Sequence, residues 1–281
     1  MSTSKSHTTS DRQAKVARLR QEQQARERRT RLLIGAAAVL AIAGIGVGIA
    51  LAVRHDPTPV AATRQVLPTT PTGAVTVEQA PTSVPDRSGI RGVLAWDTTG
   101  WPGDGSAHAG ALEHDHVAGP VTYAVTPPVG GPHSATWMNA GVYTAPIPSE
   151  RAVHNLEHGA IWITYDPSLP AAQVTALTAF VTKQSPIAES ARAVGENGQS
   201  NRYLDLSPWA TSSLPTPIVM SAWGHQLRLT SATDPRMQQF VDTFRANATY
   251  SPELGSAVDG VPVPTGGRPA SDGGAVPNPA G

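Results

Sequence analysis

No cysteine occurs among the 281 residues, which removes disulfides, thiolate nucleophiles and cysteine-based zinc ribbons at once. A domain of this size can do without disulfides, because a chain well above about one hundred residues buries a core of its own. Lysine is scarce as well: it supplies three of the 21 basic side chains, and arginine the rest. The chain has no Gly-rich phosphate loop, no G-x-S-x-G elbow and no strongly basic patch with interleaved aromatics. Nucleotide chemistry, serine-hydrolase chemistry of the elbow type and nucleic-acid binding therefore have no motif to rest on. There is no internal repeat.

What charge there is lies unevenly. Residues 1–31 hold nine Lys or Arg against three Asp or Glu, a net of +6, and the neutral chain must carry −6 in the remainder. The next 22 residues, 32–53, contain no charged side chain and consist largely of Leu, Ile, Val, Ala and Gly. At about 1.5 Å per residue this run would span about 33 Å, enough for a bilayer core. The apolar part of a signal peptide is usually only about 7 to 15 residues. The expectation is one transmembrane helix, with the basic segment cytoplasmic by the positive-inside rule and the longer carboxyl part extracytoplasmic. That makes a single-pass cell-membrane protein whose expected partner is the lipid bilayer. No nucleic-acid partner is expected, and no protein partner is named by the sequence.

Residues 54–85 are rich in Pro, Thr, Val and Ala without amphipathic period and read as a linker. Residues 256–281, with Pro, Gly and Ala and almost no large apolar side chain, read as a disordered tail. The 86–255 stretch between them is one ordinary domain in length, and all six tryptophans fall in it. Its elements are short and mixed. Residues 121–125 alternate as a strand, and Ala160 to Tyr165 is a β-branched and aromatic run suited to a buried strand. Ser149 is placed to cap a helix over 150–158, with Gly159 as its left-handed stop. Residues 170–184 carry Val174, Leu177 and Val181 at helical spacing, and Asp234 precedes a helix with Met237, Phe240, Val241 and Phe244 on one stripe. Gly224-His225 is expected as a hairpin turn with glycine first. Irregular interleaving favours α+β: one compact domain with a small mixed sheet and a few helices.

The chemistry gathers in His154-Asn155-Leu156-Glu157-His158-Gly159. On a helix, residues four apart stack on one face, so His154 and His158 point the same way. Glu157 lies beside the pair and could be a ligand, an acceptor that fixes a tautomer, or a base. The string matches the H-x-x-E-H signature of inverted zinc peptidases, which place it within a long helix; here Gly159 and the following strand end the helix at once. A third ligand could come from His133, held by the stiff Pro127-Pro128-Val129-Gly130-Gly131-Pro132 turn, or from His116, which directly precedes a strand. His108, Glu113, His114 and Asp115 read as a solvated loop.

The series His116-Val117, Val121-x-Tyr123, Pro127-Pro128-x-x-Gly131-Pro132-His133, Gly141-x-Tyr143, Val153 to Gly159, Tyr165 and Ala222-Trp223-Gly224 resembles domain-of-unknown-function family 3105, bacterial proteins that often have one amino-terminal membrane span. Val129-Gly130 replaces the usual Thr-Ser of the turn, and His225 follows Trp-Gly where a basic residue is common. The resemblance supports the domain limits and supplies neither a substrate nor a metal.

The sequence thus suggests a site for a divalent transition metal, zinc or copper, on His133, His154 and His158, with His116 as a further ligand. Glu157 would be a fourth ligand or, if the protein is catalytic, the group that activates metal-bound water for hydrolysis. The competing reading is a non-catalytic cell-envelope structural or interaction protein, in which the histidines and Glu157 form a buried polar network.

Overall fold

The computed structural model describes residues 66–99, 109–189 and 200–267. In chain order the strands are β1 (Thr76–Val77), β2 (Ser83–Val84), β3 (Val93–Trp96), β4 (His116–Val117), β5 (Val121–Thr122), β6 (His133–Ser134), β7 (Ile161–Tyr165), β8 (Ile187–Ala188), β9 (Ser200–Asn201), β10 (Leu204–Pro208), β11 (Ile218–Ala222) and β12 (His225–Leu229). Three helices occur among the described residues: α1 (Ser149–Glu157), α2 (Ala171–Thr182) and α3 (Arg236–Phe244).

The centre is a six-stranded mixed sheet in the order β10-β7-β11-β12-β3-β2, with β7 parallel to β10 and antiparallel to β11. Side chains alternate across a strand, so each strand contributes to two faces. Ile161, Ile163, Leu204, Leu206, Ile218, Met220, Leu227 and Leu229 share one core with Leu177 and Phe180 of α2 and Met237, Phe240, Val241 and Phe244 of α3. The other face is more polar. Trp162 of β7 packs with Val153 and Leu156 of α1 and with Met138 and Tyr143, while Asp205, Ser207, Ser221 and Gln226 are buried on the strands beside it. The sheet is thus covered on both sides, which is why every residue of β7 is buried.

The polar face holds the layer that carries the histidines. Asp205 accepts hydrogen bonds from Asn155 Nδ2 of α1 at 2.9 Å and from the Gly141 amide at 3.3 Å. Asn155 Oδ1 in turn accepts from the Met138 amide at 3.2 Å. Burial is the first cause of the rise in the Asp205 carboxyl pKa, to about 7, and its two hydrogen bonds counter only part of that.

The structure corrects several expectations. Among the described residues the longest helix has 12 residues, about 18 Å at about 1.5 Å per residue against a bilayer core of about 30 Å. Among the described residues no helix is long and apolar enough to cross a membrane. The transmembrane helix is therefore not supported, nor are the single-pass cell-membrane location, the bilayer as partner and the extracytoplasmic placement that depended on it; a mixed α+β domain is what the structure shows. The run 32–53 that prompted them lies outside the described residues, as does the basic segment 1–31. Ser149 is the first residue of α1 rather than its cap, and no side chain caps that helix. The hairpin turn is shifted by one residue: Ala222 pairs with His225, so Trp223-Gly224 forms the loop and Gly224, at φ +67°, is its second residue. A one-residue shift turns side chains to the opposite face. His225 is accordingly buried against Phe244 and Tyr250, at ring-centroid distances of 4.6 and 5.0 Å. Burial there lowers its pKa, against the bond to the Trp223 carbonyl and the nearby Asp86.

Both flanks of the domain join it. Within the stretch read as linker, β1 pairs with β5 and β2 lies at the sheet edge. Within the stretch read as tail, the Asp259 carbonyl accepts from Trp137 Nε1 at 2.9 Å, and Asn139 exchanges two hydrogen bonds with Val261, each at 2.9 Å.

Candidate metal centre

His116 and His133 come together because β4 and β6 pair in parallel, with His116 directly opposite His133 and Val117 opposite Ser134. The turn leading into β6 is pinned from several sides. Gly224 donates to the Val129 carbonyl at 2.7 Å, Gln226 Nε2 to that of Pro127 at 3.0 Å and Tyr123 Oη to that of Pro132 at 2.8 Å. Gly131 sits at φ +101°, and a Cβ there would overlap the buried Glu78 carboxylate. Glycine is required on both counts.

Helix α1 supplies the second half. His154 lies in its last turn and His158 is its C-cap residue, and the chain then reverses at Gly159 with φ +98°. A Cβ on Gly159 would lie 2.8 Å from Ser251 Oγ and 3.1 Å from the Ala246 Cα. The helix therefore stops where the second histidine is delivered, unlike the long helix of the zinc-peptidase signature.

His154 is the hub. Its ring touches those of His116, His133 and His158, at centroid distances of 5.1, 5.0 and 4.4 Å. Trp137 leans over the last turn, 5.8 Å from the His154 ring and 5.6 Å from that of His158. His133, His154, Glu157 and His158 are all buried, while His116 is exposed. The geometry forms two overlapping triads: potential ligand atoms of His116, His133 and His154 lie within 4.8 Å of one another, and so do those of His154, His158 and Glu253. These clusters could coordinate a metal ion.

The orientation of the rings is set by backbone carbonyls. Nδ1 of His133 lies 2.8 Å from the Gly131 oxygen, that of His154 2.6 Å from the Ser134 oxygen, and that of His158 2.6 Å from the Ala257 oxygen. A carbonyl can only accept, so each Nδ1 carries the proton and each Nε2 presents an electron pair unless the ring is doubly protonated. His133 Nε2 faces Glu157 Oε2 at 2.9 Å, yet neither atom makes a hydrogen bond, and Glu157 Oε1 has no partner either. His158 Nε2 similarly faces Glu253 Oε2 at 3.3 Å. Two electron-rich atoms at such distances need a positive charge between them, either a proton or a metal ion.

His154 is different. Burial drives its pKa down to about 2, with His158 the next cause and His133 and His116 adding to it; the bond to Ser134 opposes the shift. It is a neutral imidazole at ordinary pH, with Nε2 free to bind a cation. Glu253 is held below the usual carboxylate range, first by its contact with His158. Glu189 lies close enough to His158 for their charges to interact; burial raises its pKa, and its Oε2 is buried without a partner.

The four histidines singled out in the sequence gather around His154, with Glu157 against His133, but His133 and His158 fall in different triads, so the expected set of His133, His154 and His158 is not brought together as one. Glu253 is an addition: it sits in the loop after α3 with no spacing that relates it to the motif, and it arrives because its amide donates to the Glu157 carbonyl at 3.0 Å. His114 and Asp115 are not part of either triad, and His108 lies outside the described residues.

A family described as protein of unknown function, DUF3105, matches residues 114–260, just over half of the chain. The chain belongs to this family. The DUF3105 match takes in every residue of both triads and leaves out β1, β2 and β3. Among curated proteins and among solved structures nothing matches the chain.

Proposed function

We propose that the domain binds one divalent transition-metal ion through the Nε2 atoms of His116, His133 and His154, with Glu157 as the buried anion beside His133. The observation that carries this reading is the orphaned pair: His133 Nε2 and both Glu157 oxygens are buried without hydrogen-bond partners. Carbonyls that hold Nδ1–H and leave Nε2 outward are the usual partners of metal-bound histidine. Neutral imidazoles suit zinc and copper, and the donor set has no thiolate to favour one over the other. An ion with bonds near 2.0–2.1 Å needs ligand nitrogens about 3.3 Å apart, and the ligand atoms of this triad lie within 4.8 Å of one another. A buried imidazolium–carboxylate network is the competing reading, because a proton on His133 would serve Glu157 equally well.

Titration calorimetry of the metal-free full chain with Zn2+ and Cu2+ tests the proposal. One tightly bound ion, lost in His154→Ala and held more weakly in His133→Ala, with circular dichroism unchanged in both, is the expected result. Wild-type protein that takes up neither ion beyond the level of His154→Ala would overturn it in favour of the protonated network.

A further inference from the structure

Building on the metal-binding reading, we propose that the cluster offers one ion two alternative stations that share His154: an all-imidazole station with His116 and His133, and a mixed station with His158 and the Glu253 carboxylate. Both triads have their ligand atoms within 4.8 Å of one another. His154 Nδ1 is committed to the Ser134 carbonyl at 2.6 Å, so the ring has a single electron pair, on Nε2, to give. An imidazole bridges two ions only through both nitrogens, and this one cannot while that bond stands. Two ions therefore cannot fill the stations together.

The two stations differ in charge and in the edge they open to. His116, at one end, is exposed, and the Glu253 side chain, at the other, is 41 % exposed; the shared His154 is buried between them. Around the mixed station stand Glu253 and the half-orphaned carboxyl of Glu189, whereas the all-imidazole station has Glu157 behind His133. An ion that changes station exchanges two imidazoles for an imidazole and a carboxylate while keeping His154, and so crosses the cluster without being released. Such a site suits uptake at one edge and delivery at the other, rather than a single fixed ion.

Co2+ binding to the metal-free full chain, read by its visible absorption, separates the possibilities. His116→Ala and Glu253→Gln change side chains at the margin of the site. Each variant is expected to retain one Co2+ with a spectrum distinct from that of the other, while His116→Ala/Glu253→Gln loses at least about 100-fold in affinity. Two ions per wild-type chain would overturn the proposal. So would a folded His116→Ala that binds none, or a Glu253→Gln identical to wild type in affinity and spectrum; either leaves a single all-imidazole site. Wild-type protein that binds no Co2+ would remove the metal-binding reading along with this one.

Discussion

Asn155 and Asp205 join the site helix to the central sheet through a buried 2.9 Å hydrogen bond from Nδ2 to Oδ2. The residue directly after His154 in the His-Asn-Leu-Glu-His string is thus an anchor, directed toward the sheet. It also links Asp205 to the Met138 amide, and Met138 directly follows Trp137 over the histidines.

Asn155→Ala leaves Asp205 and the Met138 amide without their partner in a dry interior. The expected loss is about 2–4 kcal/mol of stability, measured by denaturant unfolding. Metal affinity should fall with it, because α1 loses the contact that sets its position.

Stability should depend on pH through the same pair. Asp205 has its carboxyl pKa raised from 3.8 to about 7, so between these values the folded chain holds a proton that the unfolded chain releases. Its contribution is fully present below about pH 4 and is lost as pH rises through about 7. Glu78, raised from 4.5 to about 7, chiefly by burial, acts in the same direction. Asp205→Asn should flatten the fall in stability between pH 4 and 7, seen in thermal unfolding across that range. An unchanged slope would mean that Asp205 titrates alike in both states.

Glu157→Gln replaces a buried anion with a neutral side chain that can donate to His133 Nε2. In chelator the variant should be at least as stable as wild type, by roughly 0–2 kcal/mol, since the orphaned pair is then satisfied. The extra stability conferred by Zn2+ should shrink. Melting curves with and without the ion show both effects.

Gly131→Ala forces a side chain onto a positive φ and against Glu78. The expected cost is about 2 kcal/mol or more, with weakened metal binding because the Gly131 carbonyl orients His133. Phe240→Ala, in the opposite core, should cost about 3–5 kcal/mol and leave the affinity of the remaining folded protein unchanged. The pair of variants separates damage to the turn from general loss of packing.

Much of the local order is legible from composition and period. The Ile161–Tyr165 run makes a strand because β-branched and aromatic side chains pack on a pleated surface, and its burial on both faces follows from covering layers. The Met237, Phe240, Val241 and Phe244 stripe forms α3 because one face of a helix repeats every 3.6 residues. The hairpin was less legible: Gly224 suits either loop position by composition, and only the pairing of Ala222 with His225 decides which way His225 points.

By itself the sequence determined that His154 and His158 share one side of a helix ended by Gly159, that His133 follows a stiff turn, and that no thiol competes with them. Those properties depend on residues within a few positions of one another, where backbone geometry alone sets direction. The tertiary structure decided the company they keep. His116 meets His133 through a parallel ladder, Glu253 reaches His158 from the loop after α3, and Asp205 is buried under Asn155. Contacts between segments so far apart in the chain follow from which layers cover the polar face of the sheet, and no local period encodes that.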